Sequence, residues 1–229
     1  MRTTRAIRGS DHALVQRITR VAYGDDTRDQ SLPDGCWDLV FMKRRGRLQV
    51  LHTGLITHPV TLGYEIGDEY LSIAFRPGVF MPGVPAMGML DQGVLRPLSN
   101  PRSFLLGPRA FEVPDFENAD DLVARLIGAG LLVADPVVFR VLRGDPAGTS
   151  LRSVQRRFLS ATGLTAKQLS QIHRAQAALQ RLMHGDAPAD VAAACGYADQ
   201  AHLGNSLKRI MGRTPGEVAR AAARPGPRR

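Results

Sequence analysis

The pattern of apolar residues changes once along this chain of 229 residues, soon after Pro114. Before the change, short β-like runs alternate with turns such as Pro33-Asp34-Gly35. After it, apolar residues such as Leu122 and Leu126 recur at helical spacing. The sequence therefore predicts an α+β protein, in which a small antiparallel, barrel-like β domain precedes an all-α domain. We expect the boundary between residues 115 and 135, with 1–118 in the first domain and 119–220 in the second.

Local patterns predict the elements of the first domain. Strands are expected at residues 36–42, 47–52, 60–66 and 70–75. A short helix is expected at 12–21, because Leu14, Ile18 and Val21 lie at helical spacing. Residues 76–114 are rich in proline and glycine, so we expect loops and at most short helices there. At the other end of the chain, residues 221–229 are expected to be a disordered basic tail.

The positive charge of the chain lies almost entirely in its second half. Residues 1–135 contain 15 basic and 16 acidic residues, whereas residues 136–229 contain 15 basic and 5 acidic residues. Only three of the 30 basic residues are lysines, so a general bias toward arginine explains part of the basic count. Because that bias does not explain the difference between the halves, the sequence indicates a polyanionic partner for the second half.

Other classes of protein are disfavoured by simple patterns. No run reaches the ~18 apolar residues of a membrane span, and no apolar run follows the basic N-terminus as in a secretory signal. Cys36 and Cys195 lie far apart without a CxxC motif, so neither a disulfide framework nor a zinc ribbon is indicated. His52 and His58 lack the spacing of a metal-binding cupin, and we see no phosphate loop, GxSxG motif or carboxylate pair. We expect a cytoplasmic protein that is not an enzyme, contacts no membrane and needs no cofactor.

The helix predicted at 151–159 combines an apolar stripe with polar side chains that suit nucleic acid. Leu151, Val154 and Phe158 are expected to face inward. The outward side chains are Arg152, Ser153, Gln155 and Arg156. Arg and Gln can make paired hydrogen bonds to guanine and adenine edges, but a solvated charged face has the same pattern. Both interpretations stay open on this helix alone.

A second group of helices follows a capping box formed by Thr165 and Gln168. It predicts a long helix that ends near Gly185, with Leu169, Ile172, Ala175, Leu179, Leu182 and Met183 facing inward. An alanine-rich helix then ends at Gly196, and Asp199 is expected to cap a helix at 200–211. Two helices joined by a glycine turn, the second polar on its outer face, predict a helix-turn-helix.

Residues 150–220 resemble the DNA-binding domain of the AraC/XylS family of bacterial transcriptional regulators. The resemblance is carried by Val154-Gln155-Arg156-Arg157-Phe158, Thr162-Gly163-Leu164-Thr165, Val191-Ala192, Gly196-Tyr197, Leu207-Lys208-Arg209 and Gly212-Arg213-Thr214-Pro215. It implies two helix-turn-helix units joined by a long helix, with recognition helices at 151–159 and 200–211. The implied DNA-binding residues are Arg152, Ser153, Gln155, Arg156, Gln200, His202, Asn205, Lys208 and Arg209. This chain departs from the family where Leu203 and Leu207 replace phenylalanines and Asn205 replaces a basic residue, and its first unit is abbreviated.

The first domain resembles, less specifically, the sensor or dimerisation domain of some regulators of that family. Residues 33–40 and 75–78 carry this likeness, which implies an incomplete cupin-like barrel. Arg76 either clamps an acidic ligand or pairs with a loop carboxylate. We therefore predict a sequence-specific transcription regulator that binds double-stranded DNA. A small-molecule effector, a second copy of the chain and, for an activator, RNA polymerase are the further partners. The alternatives are a cupin-like enzyme or small-molecule-binding protein with a helical appendage, and a nonspecific DNA binder.

Overall fold

The computed structural model describes residues 2–145, 148 and 150–222. Within these residues, a β-rich region comes first and a helical region follows, which confirms the predicted α+β class. The largest sheet has six antiparallel strands. They are β1 (Thr4–Arg8), β2 (Val15–Ala22), β4 (Trp37–Arg44), β5 (Arg47–Thr53), β7 (Glu69–Phe75) and β9 (Gly93–Arg96). Their order in the sheet is β1-β2-β7-β4-β5-β9. Since β1 and β9 are both edges, the described strands form no closed barrel.

Three small sheets complete the β-rich region. One pairs β3 (Thr27–Ser31) with β6 (Val60–Tyr64), and another pairs β8 (Val79–Phe80) with β13 (Val133–Ala134). The third contains β10 (Leu98–Asn100), β11 (Ser103–Leu106) and β12 (Arg109–Glu112). A 3₁₀ helix spans Ala86–Met89. The predicted strands at 36–42, 47–52, 60–66 and 70–75 are confirmed with shifts of one or two residues at their ends.

The predicted helix at 12–21 is wrong, because the chain forms strand β2 there. β2 pairs with β1 on one side and with β7 on the other. A bulge between Val15 and Arg17 interrupts the alternation at the start of the strand, so Val15 and Ile18 are both buried three residues apart, and Val21 is buried in the regular part that follows. Three β-branched residues at these positions favour the strand.

The prediction of loops and at most short helices at 76–114 is wrong in one respect: it allowed the 3₁₀ helix, but the strands β8 to β12 also lie in this segment. These strands have only two to four residues each, so they show no readable alternation. Their formation depends on distant packing: Phe104, Leu106 and Phe111 are buried in the core, where the Phe104 ring lies against Phe41 of β4.

The helical region contains seven helices within the described residues. They are α1 (Ala119–Gly128), α2 (Pro136–Leu142), α3 (Leu151–Thr162), α4 (Ala166–Met183), α5 (Pro188–Ala194), α6 (Gln200–Met211) and α7 (Pro215–Ala222). The capping box at Thr165 and Gln168 and the cap at Asp199 are confirmed. Helix α7 includes residues 221 and 222, so the predicted tail is wrong there, and its remainder lies outside the described residues. No described helix combines the length and hydrophobicity that crossing a bilayer requires.

Two residues predicted to face inward are exposed. Met183, the last residue of α4, is 61% exposed, whereas its neighbour Leu182 is fully buried, so the buried face of the helix ends at Leu182. Leu151 at the start of α3 is 83% exposed, whereas Phe158, two turns further on, is fully buried. Leu151 precedes the part of α3 that packs on the core, so helical spacing alone did not place it correctly.

Candidate nucleic-acid interface

Helix α3 is fixed at both of its ends. The Ser150 hydroxyl accepts a hydrogen bond from the Ser153 amide at 3.3 Å and caps the helix. Gly163 ends it in the left-handed conformation, at φ +75°. A Cβ at Gly163 would lie 2.9 Å from the carbonyl oxygen of Ala86, so only glycine lets the helix end approach the 3₁₀ helix so closely. The β-rich region therefore supports α3 directly.

The outer face of α3 carries three long polar side chains that have no partner in the part of the chain that the structure describes. Arg152, Gln155 and Arg156 are exposed, and none of them makes a hydrogen bond or ion pair within the described residues. Arg157 differs, because its Nη1 lies 2.9 Å from Asp135, the carboxylate that also caps α2. Arg157 thus joins α2 to α3, a role that sequence analysis missed because it depends on packing between helices.

Helix α6 is built in a similar way. The Asp199 carboxylate accepts a hydrogen bond from the His202 amide at 2.6 Å and caps the helix. Leu203, Leu207 and Ile210 are buried, as predicted. On the opposite face, Gln200 and Asn205 are exposed and make no hydrogen bond within the described residues. Two amide side chains at the N-terminal half of α6 are therefore free to bind a partner.

The other predicted DNA-binding residues are held by contacts within the protein. The His202 ring accepts a hydrogen bond from the Ala198 amide at 3.3 Å and meets the edge of Tyr197. Lys208 donates to the Gly212 carbonyl at 3.2 Å and lies 3.7 Å from Glu217. Arg209 reaches Gln171 of α4 at 3.5 Å. Ser153, the remaining member of the set, is half-buried on α3.

Helix α4 connects the two units and holds them at a fixed separation. Its 18 residues span about 27 Å. Ile172, Ala175, Leu179 and Leu182 are buried along its inner face. The Arg174 guanidinium lies 4.4 Å from the centre of the Tyr197 ring and donates to the Gly196 carbonyl at 3.2 Å, which ties α4 to the turn between α5 and α6. The separation of α3 and α6 is thus set by one packed helix.

Comparison with known proteins identifies the domain. Residues 145–221 match the model of a family described as a helix-turn-helix domain. Among solved structures, ToxT from Vibrio cholerae shares 8% identity over 96% of this chain and 97% of that chain, with a TM-score of 0.45. ToxT from Vibrio cholerae O395 gives 8% identity over 96% and 98%, with a TM-score of 0.44. No curated protein sequence gave a match. At these scores the likeness to ToxT carries no functional conclusion for this chain.

Residues 145–221 are a helix-turn-helix domain of the AraC type, as the sequence predicted. A domain of this type supports the assignment of this protein as a DNA-binding transcription regulator. The match begins just before α3 and covers α3 to α7, whereas α2 precedes it.

Proposed function

We propose that this protein is a sequence-specific transcription regulator that inserts α3 and α6 into adjacent major grooves of double-stranded DNA. One observation carries the proposal: five exposed guanidinium and amide side chains on α3 and α6, the two helices that flank α4 and α5 in the chain, have no partner among the described residues. The length of α4 is close to the ~34 Å of one DNA turn. In vitro selection of bound genomic fragments tests it, and a single enriched motif with two half-sites about one turn apart is expected.

The chemistry of the side chains suggests separate roles for them. Arg152 and Arg156 are proposed to read guanine, whose O6 and N7 accept two parallel hydrogen bonds from a guanidinium. Gln200 and Asn205 are proposed to read adenine, the natural partner of a side-chain amide. Lys208 and Arg209 lie further along α6 and are proposed to hold phosphates, with Ser153 and His202 supporting the backbone contacts.

Leu151 adds an apolar group to the same face of α3. It lies four residues before Gln155, so the two side chains are neighbours on the helix surface. A leucine that is 83% exposed beside free polar side chains suits apolar contact with the methyl group of thymine, which is displayed in the major groove. We therefore include Leu151 among the base-reading residues.

The methyl contact can be tested by removing the methyl group from the DNA. Replacing one thymine of the selected site by deoxyuridine is expected to weaken binding by about 0.8 kcal/mol, or roughly fourfold, because one buried methyl is lost. Leu151→Ala is expected to bind both DNAs equally. If the wild-type protein is indifferent to deoxyuridine at every thymine of the α3 half-site, Leu151 reads no base.

The phosphate contacts should appear in the dependence of affinity on salt. We expect log K to fall with log[salt] at a slope of about −0.9 per phosphate contact. Lys208→Ala should weaken binding to all sequences alike and make this slope shallower by about one unit. Lys43→Ala, which removes an exposed lysine of β4 in the β-rich region, is the matched control and should leave the slope unchanged. A sequence-dependent effect of Lys208→Ala would assign Lys208 to base reading instead.

We propose that residues 1–118 form the regulatory domain and residues 119–220 the DNA-binding domain. The regulatory domain is proposed to act by binding a small-molecule effector, by dimerising, or both, and an activator would also contact RNA polymerase. Close contacts between the two parts support such a role, because Gly163 meets Ala86 and the Arg213 guanidinium donates to Gln30 at 3.0 Å. Sedimentation of the intact protein with and without DNA measures its oligomeric state.

A further inference from the structure

A pocket of about 540 Å³ opens between the β-rich region and the helical region. Its volume lies within the range of small-molecule sites. One wall is formed by Arg17, Asp34 and Arg76 of the β-rich region, and the other by Phe139 and Leu142 of α2 with residues of α4. Arg76 is the residue for which the sequence left open a ligand-binding role.

The charges around the pocket favour an anion. Arg17, Arg76 and Arg143 contribute three positive charges, and Asp34 contributes one negative charge. Arg17 and Asp34 pair with each other at 2.6 Å, so their charges offset. His173 adds no positive charge at neutral pH, because burial lowers its pKa below the ordinary value. Arg143 lies 3.5 Å from Asp145 in an exposed contact, so Arg76 is the arginine of the pocket wall that has no ion pair among the described residues.

Arg76 is oriented in a way that suits ligand binding. Its Nε donates to the Val15 carbonyl at 3.1 Å, which fixes one side of the guanidinium. Its two terminal nitrogens make no hydrogen bond or ion pair with any described residue. A planar donor group held by one hydrogen bond and open on its other side matches the geometry of a carboxylate. Phe139, Leu142 and Pro77 supply apolar surface beside it.

We propose that this pocket binds a small organic carboxylate, with the carboxylate on Arg76 and an apolar body against Phe139, Leu142 and Pro77. The proposal deepens the proposed function, since it names the ligand class through which the regulatory domain acts, and its regulatory consequence rests on that function. A ligand in this position contacts both parts of the protein at once. It therefore stabilises the arrangement in which the β-rich region supports the helices that carry α3 and α6.

The turn that forms one wall of the pocket packs tightly against α4. Gly35, in the turn that carries Asp34, has φ +77°. A Cβ at this position would lie 2.7 Å from Nε2 of His173 and 2.8 Å from Cδ1 of Leu169. Another residue here would be strained by the positive φ and would displace the side chains of His173 and Leu169, so glycine suits this close contact with the connecting helix. Ligand binding at the pocket is thus expected to affect the position of α4, the helix that connects the two recognition helices.

The test measures the thermal stability of the intact protein with a series of carboxylates, from butyrate to octanoate and 3-phenylpropionate. Each carboxylate is matched with its neutral primary amide. We expect at least one carboxylate to raise Tm in a concentration-dependent way, and its amide to have no effect. Isothermal titration then gives the affinity of that carboxylate for each variant.

Arg76→Gln should weaken the carboxylate about tenfold or more, because a charge-assisted hydrogen-bond pair is lost. Since Arg76 also supports Val15, a second variant is needed that leaves this contact intact. Gln176→Glu on α4 places a negative charge at the pocket without changing the size of the side chain, and should weaken the carboxylate by a similar factor. Arg109→Gln, at an exposed position on β12, is the matched control and should keep full affinity.

Three results would overturn the proposal. They are a series in which no carboxylate raises Tm, variants at Arg76 and Gln176 that bind as tightly as the wild type, and inorganic phosphate acting as well as any carboxylate. DNA binding of the same variants without ligand is measured in parallel. If the protein binds DNA specifically but binds no ligand, only the pocket proposal is wrong. If it binds the ligand but shows no sequence-specific DNA binding, only the proposed function is wrong.

Discussion

Arg152→Ala combined with Arg156→Ala is expected to weaken binding to the selected DNA site by about 2–6 kcal/mol, because each arginine that reads a guanine contributes roughly 1–3 kcal/mol. This corresponds to a loss of roughly 30-fold to 20,000-fold in affinity. Both side chains are exposed and have no partner among the described residues, so their removal is expected to leave the fold of α3 intact. Fluorescence anisotropy at fixed salt, with the selected site and with random DNA of equal length, measures the change.

The control for this prediction is an equal loss of charge elsewhere. Arg102→Ala combined with Arg109→Ala removes two exposed arginines of the β-rich region and should not change the affinity for the selected site. The base preference of the α3 half-site should also relax in the Arg152/Arg156 variant at one or two positions. An equal loss on selected and random DNA would show that these arginines hold phosphates and read no base.

The helical elements could be predicted well because their signals are local. Thr165 and Gln168 form the capping box that the sequence indicated, and Asp199 caps α6 through a neighbouring amide. Such interactions join residues three apart, so they can be read from the sequence alone. Gly163 combines a local and a distant effect. Its left-handed conformation ends α3, but its close contact with Ala86 depends on the whole fold and cannot be read from neighbouring residues.

The β-rich region was harder to predict, since its strands depend on partners distant in sequence. β2 pairs with β7, whose partner residues lie 47 to 60 positions away, and a bulge near the start of β2 breaks the alternation that would indicate a strand. The short strands around Phe104 lie in a segment whose prolines and glycines indicated loops. Their stability comes from burial of aromatic side chains in a core shared with other elements.

The candidate site was predicted in part. The sequence singled out Arg152, Gln155 and Arg156 as outward-facing, and the structure places all three on an exposed face. It could not show that Leu151 joins that face, because an apolar residue at helical spacing is normally placed in the core. Nor could it show the contact of Arg157 with Asp135, which requires α2 and α3 to be packed together. Which of these side chains touch DNA stays a prediction.

Gln200→Ala combined with Asn205→Ala tests the second half of the interface. If each amide reads an adenine, the pair contributes about 2–6 kcal/mol, and its removal should weaken the selected site as strongly as the Arg152/Arg156 variant does. Footprinting separates the two units. We expect this variant to lose protection over the α6 half-site alone and the Arg152/Arg156 variant to lose it over the α3 half-site alone, about one DNA turn away.

Comparing the two double variants decides whether one helix or both helices read the bases of DNA. The abbreviated first unit has only the seven-residue helix α2 before α3, with support from the 3₁₀ helix of the β-rich region. If that support places α3 against DNA, each double variant loses one half-site and the combined variant loses all specific binding. If the Arg152/Arg156 variant keeps both affinity and footprint while the Gln200/Asn205 variant abolishes binding, α6 reads DNA alone. The two-groove arrangement would then be wrong, and the exposed arginines of α3 would serve another partner.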